Sequence, residues 1–160
     1  MHGSAGGPRR HRLCTFTQGA AMNGRDAVAA FFDRYRRHDI EGMLALFAPD
    51  ATLDYVPIAV TGPAAVQGKA VWTALLDAFP DLGNEVDAVH ADDANRHATA
   101  EVTIGGTQTR EFAGIQNRGR AFSLRHAFVF EFDGDGRIVR LAAYWDNVRL
   151  FEDLGKTPLG

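Results

Sequence analysis

The chain has 160 residues, 46% of them apolar and 23% charged, which is the composition of one soluble globular domain and excludes a second large one. A chain of this size hides roughly 70% of its unfolded surface on folding, enough for a core and an internal pocket. The net charge of −3, from 17 Lys and Arg against 20 Asp and Glu, lacks the basic excess of a nucleic-acid binder, and no apolar run is long enough to span a membrane.

Cys14 is the single cysteine, so no intramolecular disulfide closes. No Cys/His spacing resembles a zinc site, and the chain reads as cytoplasmic and free of metal and cofactor. Residues 1–22 hold Arg9, Arg10 and Arg12, no acid, scattered glycines and no apolar period; they are expected to form a disordered basic tail. Residues 23–160 are expected to form the single folded domain.

Asn23 and Asp26 have capping-box spacing, and Val28, Phe31, Phe32 and Tyr35 recur at helical spacing, which predicts a first helix. Asp39 is placed to cap a second, with Met43, Leu44, Leu46 and Phe47 as its apolar face before Pro49. Residues 51–57 alternate as a strand, with Leu53 and Tyr55 on one face and Thr52 and Asp54 on the other; Asp54 is read as an outward ion-pair residue, with a site role as the alternative. A Gly/Pro-rich loop is expected next. Val71, Trp72, Leu75, Leu76 and Phe79 then give a helix over 68–79 that Pro80 stops.

Four strands are predicted at 85–90, 96–104, 121–133 and 137–146, with Gly134 and Gly136 supplying a hairpin turn and a short helix following at 147–154. Asp146 is placed to cap that helix, with a site role again the alternative. Helices first and antiparallel strands later is an α+β order.

Parity in the longest strand puts Phe122, Leu124, His126, Phe128, Phe130 and Phe132 on one face. His126 interrupts an otherwise apolar stripe, so burial should keep its imidazole neutral. It is either a hydrogen-bonded core histidine or a base, and Tyr55 is either a core aromatic or a proton donor. In the last strand Ile138, Arg140, Ala142 and Tyr144 are expected opposite Val139, Leu141, Ala143 and Trp145.

The segment 39–52 (Asp-Ile-Glu-Gly-Met-Leu-Ala-Leu-Phe-Ala-Pro-Asp-Ala-Thr) resembles the second-helix-to-strand segment of the nuclear transport factor 2-like superfamily. That superfamily includes ketosteroid isomerases, scytalone dehydratases, limonene-type epoxide hydrolases and SnoaL-like polyketide cyclases. Residues 78–82 (Ala-Phe-Pro-Asp-Leu), 106–115 (Gly-Thr-Gln-Thr-Arg-Glu-Phe-Ala-Gly-Ile) and 136–139 (Gly-Arg-Ile-Val) sharpen it toward the SnoaL-like group, as do Tyr144-Trp145-Asp146 and Leu154-Gly155. The resemblance covers residues 23–155. It implies a curved antiparallel sheet wrapped by helices into a cone around a deep apolar cavity.

The resemblance also implies how the site departs from its relatives. Ala143 stands where the cyclases and epoxide hydrolases have an essential aspartate, and Gln108 where the cyclases have a histidine. Tyr55 stands at the ketosteroid isomerase base position, and Phe31 and Phe128 at its oxyanion-hole Tyr and Asp positions. Tyr55 and Tyr35 match tyrosines of the scytalone dehydratases, and His126 an inward position that is polar in the cyclases.

The expected set is therefore His126 as proton acceptor, Tyr55 as donor, and Tyr35 or Gln108 as orienting groups, with Phe31, Trp72, Phe128, Ala143 and Trp145 around the cavity. It fits a cofactor-free cyclase, isomerase or dehydratase acting on a small, largely apolar, polyketide-like molecule. A non-catalytic binding domain and an epoxide hydrolase with a relocated carboxylate are the alternatives. Arg125, Glu131, His97 and Glu101 on the outer sheet face are expected to line a homodimer contact.

Overall fold

The computed structural model describes residues 22–156, so most of the expected tail, Cys14 included, lies outside the described residues. Helix α1 spans Gly24–Arg36 and begins where Asn23 Oδ1 accepts from the Asp26 amide at 2.8 Å. Its buried face, Val28, Phe31, Phe32 and Tyr35 among others, lies across the sheet. At its start Gly24 fits against the Phe132 ring and Ala98, where a Cβ would stand 3.2 Å from that ring.

Helix α2, Ile40–Leu44, is capped by Asp39, whose Oδ1 accepts from Gly42 N at 2.9 Å. It is shorter than the apolar spacing predicts. Leu46 lies in a turn and Phe47 opens strand β1, Phe47–Tyr55, four residues before the expected start. Pro49 is tolerated because the pairing register shifts between Phe47 and Thr52, so the exposed Pro49 and Asp50 sit in an irregularity that asks no ladder bond of them.

The segment expected as a loop holds a 3₁₀ turn (Val56–Ile58) and edge strand β2 (Val60–Pro63), followed by one π turn (Ala64–Gly68). Helix α3, Lys69–Ala78, then runs to Phe79 ahead of Pro80. Strands β3 (Gly83–Ala91), β4 (His97–Thr107), β5 (Ala121–Phe132) and β6 (Ile138–Trp145) follow, and α4 (Asn147–Leu154) closes the described chain.

The six strands form one sheet in the order β2-β1-β6-β5-β4-β3. Every pairing is antiparallel except β1 with β6, which the long crossover between them makes parallel. Three shifts of register, in β1/β6, β3/β4 and β5/β6, bend the sheet. The last corrects simple parity: Phe132 pairs with Ile138 but Glu131 with Arg140, so Val139 is the extra residue and Ile138 turns inward, fully buried.

The inner face then reads in rows. Phe132, Ile138 and Phe47 form the first, with Phe130, Leu141 and Leu53 above them. Next come Phe128, Ala143 and Tyr55, and last His126 with Trp145. Phe31 closes the lower end, meeting Phe32, Phe47, Trp72 and Phe130 edge to face at 5.1–6.1 Å. Such contacts contribute about 0.5–1.5 kcal/mol each beyond area burial, so this end is a filled core. The His126 end is not filled.

Candidate active site

A small, almost wholly apolar cavity opens at that end. Tyr35, Tyr55, His126, Phe128 and Trp145 are among the residues that line it. Ile58, Val71, Leu75, Leu82, Phe112 and Leu150 also line it and have no polar signature that would single them out in the sequence. None of the lining residues is acidic, lysine or arginine.

His126 is 9% exposed, and its ring lies near-parallel to Phe128 (centroids 6.0 Å apart) and tilted on Trp145 (5.4 Å). Its Nδ1 lies 2.9 Å from the Leu124 carbonyl oxygen. A carbonyl only accepts, so Nδ1 carries the hydrogen and Nε2 of the neutral ring holds a free lone pair. Burial holds the imidazolium down to a pKa of about 4, outweighing the Leu124 carbonyl, which favours the charged form. Among the described residues Nε2 has no partner, and Gln108 Oε1 is the one buried side-chain polar atom left unpaired. Nε2 is thus open to the cavity.

Tyr55 reaches the same space from β1. Register puts it two strands and two residues away from His126, about 12 Å between Cα atoms at the usual strand and residue spacings. Both rings contact Phe128 and Trp145, Tyr55 edge-on at 6.5 and 5.8 Å. The Tyr55 hydroxyl accepts from Trp72 Nε1–H at 2.6 Å, and no described residue receives its hydrogen. Burial raises its pKa, with the Trp72 N–H pulling the other way. Tyr35, on the last turn of α1, is raised well above the ordinary tyrosine value by burial first and by neighbouring Tyr55 second. Its hydroxyl has no partner among the described residues and, like Nε2, faces open space. Both phenols stay protonated through the ordinary pH range.

Four expected cavity residues stand elsewhere. Phe31 and Trp72 are fully buried behind the wall because the aromatic packing of the lower end claims their rings. Ala143 is fully buried in the sheet between Phe128 and Tyr55, and its methyl is too short to pass those rings. Gln108, 1% exposed, turns aside to donate from Nε2 to the Ile115 carbonyl at 2.8 Å. That bond holds the β4–β5 connection, whose Phe112 forms the wall instead, edge-on to Phe79.

Asp54 and Asp146 also lie away from the cavity. Asp54 is on the outer face, 3.9 Å from Arg140, and Asp146 Oδ1 accepts from Arg149 N at 3.0 Å as the cap of α4. Among the described residues no three His, Cys, Asp or Glu cluster as metal ligands, and no helix is long and apolar enough to cross a membrane.

The model of the SnoaL-like domain matches residues 16–141. Among solved structures the chain is similar to AclR from Streptomyces galilaeus, a candidate hydroxylase, at 23% identity and TM-score 0.73, covering 84% of this chain and 86% of that one. A candidate SnoaL-like polyketide cyclase from Jannaschia superposes with TM-score 0.75 at 15% identity, over 86% of this chain and 96% of that one. A Catenulispora acidiphila protein of ketosteroid isomerase-like fold, bound to trimethylamine, gives TM-score 0.68 at 16% identity, over 82% and 93%. No curated protein sequence matches significantly. With the domain match spanning most of its length and the same fold recurring in these structures, the chain belongs to the SnoaL-like domain family, of ketosteroid isomerase-like fold.

Proposed function

We propose that the protein is a cofactor-free acid/base enzyme, a cyclase, isomerase or dehydratase, acting on a small, largely apolar, polyketide-like molecule. The observation that carries this reading is an unprotonated, open Nε2 on His126 in the same uncharged chamber as two protonated tyrosine hydroxyls. Nε2 takes a proton from a substrate carbon. The electron pair moves onto the adjacent carbonyl oxygen, where Tyr55 and Tyr35 donate to the developing oxyanion.

The enolate carbon then attacks a second carbonyl, whose oxygen takes the proton back from the imidazolium; or the enolate takes that proton at another carbon; or it expels a β-hydroxyl, which leaves as water with that proton. An imidazole whose conjugate acid ionises near pH 4 is always free at neutral pH but weakly basic. That favours a carbon flanked by two carbonyls, whose proton is far more acidic than one beside a single carbonyl, and such methylenes abound in polyketides.

The test is hydrogen–deuterium exchange at the central methylene of a neutral aryl 1,3-diketone. Replacing His126 with Phe, or Tyr55 with Phe, is expected to slow enzyme-dependent exchange by about 10²-fold or more, the usual scale for a positioned base or oxyanion donor. Both variants folding with undiminished exchange would contradict the assignment. A second reading, a binding domain without turnover, is favoured by one observation: no carboxylate lines the chamber, and Ala143 stands where the family resemblance implies one. Tight binding of the diketone with no catalysed exchange would select it.

The outer sheet face is proposed to pair two copies of the chain. Tyr144 is 42% exposed there, on the face that carries Arg125, Glu131, His97 and Glu101. Sedimentation equilibrium should give a dimer mass, reduced to that of one chain by Tyr144→Glu.

A further inference from the structure

Trp72 belongs to α3 and has no atom in the cavity wall, yet its one polar atom reaches a residue that does. The indole is fully buried, edge-on to Phe31 at 5.8 Å and tilted against Phe47 at 6.0 Å, so it has a single seat. Gly68, one turn earlier, makes that seat available: a Cβ there would stand 2.9 Å from the ring. From this position Nε1–H, which can only donate, meets the Tyr55 hydroxyl at 2.6 Å, shorter than the common N–H···O distance of about 2.9 Å.

A phenolic hydrogen prefers the plane of its ring and so has two positions. An indole N–H on one side leaves the other for the hydrogen. Donation into the oxygen also polarises the O–H bond and makes it a better donor. Tyr35 has no such partner among the described residues, so the two tyrosines are not equivalent.

We propose that Trp72 is a positioning residue for the proton donor: by occupying the acceptor side of the Tyr55 hydroxyl, it turns the phenolic hydrogen toward the carbonyl oxygen of the bound substrate and strengthens that donation. The inference rests on the donor role given to Tyr55 under Proposed function. It goes further by assigning the orientation to a residue that touches no substrate. Indole burial alone would require only that Nε1 find some acceptor, and a structural role of that kind would leave the ligand's carbonyl unaffected.

The probe is 2-acetylnaphthalene labelled with carbon-13 at its carbonyl, a neutral ketone whose stretching frequency falls as it accepts a stronger hydrogen bond. Infrared difference spectra are taken on the folded parent, Tyr55→Phe, Trp72→Phe and the milder Gly68→Ala, which crowds the indole without removing it. Binding should lower the frequency in the parent. Tyr55→Phe should abolish most of that shift. Trp72→Phe should lose half of it or more with affinity changed by less than about threefold, and diketone exchange should fall about tenfold in kcat with KM nearly constant.

If Trp72→Phe does not fold, Gly68→Ala carries the test, with a smaller loss in the same direction. A full shift retained in the Trp72 variant, or in Gly68→Ala where that variant replaces it, while Tyr55→Phe loses it, overturns the inference and leaves the donor role standing. A shift that survives Tyr55→Phe overturns the donor role itself and the inference with it.

Discussion

A neutral imidazole in an aromatic wall changes how the protein responds to acid. In the unfolded chain His126 titrates near the ordinary histidine value of about 6.5; in the fold it is held to about 4. Between those values the unfolded state binds the extra proton, so stability is intact above pH 6.5, is lost as pH falls toward 4 and levels off below. The loss is of the order of 3 kcal/mol. Asp81 and Asp92 are lowered as carboxylates, chiefly by backbone amides; Asp133, which burial raises, is lowered on balance by the Arg137 and Asp135 amides and the Arg137 charge; all three add their own losses at lower pH. Urea unfolding at pH 7.5 and 4.5 should therefore show a steeper decline for the parent than for His126→Phe, and equal declines would contradict this reading of the ring. The acid limb of turnover should likewise lie well below pH 6.5.

At the scale of elements, legibility followed the range of the interactions. The caps of α1, α2 and α4 are local, a side chain answering an amide three residues on, and Asn23, Asp39 and Asp146 all sit where spacing puts them. Asp146→Ala is expected to cost about 1 kcal/mol in thermal unfolding, and to weaken ketone binding because α4 holds Leu150 against the cavity. A loss of stability with unchanged affinity would mean that α4 is not part of the wall's support. The start of β1, the edge strand β2 and the bulge at Val139 were not legible. Phe47 is a strand residue because Ile138, far along the chain, pairs with it, and helical spacing around Met43 and Leu44 carries no trace of that partner.

Over the whole molecule, one chamber without formal charge sets what the protein admits. A carboxylate or phosphate carried to the His126 end would shed its water against aromatic walls and meet only two phenols and an uncharged ring. Calorimetry should show 2-acetylnaphthalene binding at least about 10²-fold more tightly than 2-naphthoate at pH 7.5, and parity between them would refute a charge-free site. His126 and Tyr55 were readable because strand parity places side chains on a face without knowledge of the rest of the fold. The places of Gln108, Phe31, Trp72 and Ala143 were not, since each depends on which ring, carbonyl or neighbouring strand fills the space in front of it. The chemistry proposed for the chamber depends on His126 presenting a free, unprotonated Nε2 to its occupant. Nitrogen-15 NMR of the imidazole reads that state at the atom itself. The expected result is the Nδ1–H tautomer, uncharged down to pH 5 and titrating near 4, with the Nε2 resonance displaced when an aryl 1,3-diketone binds. Titration near 6.5, or an Nε2 signal indifferent to the ligand, would contradict it.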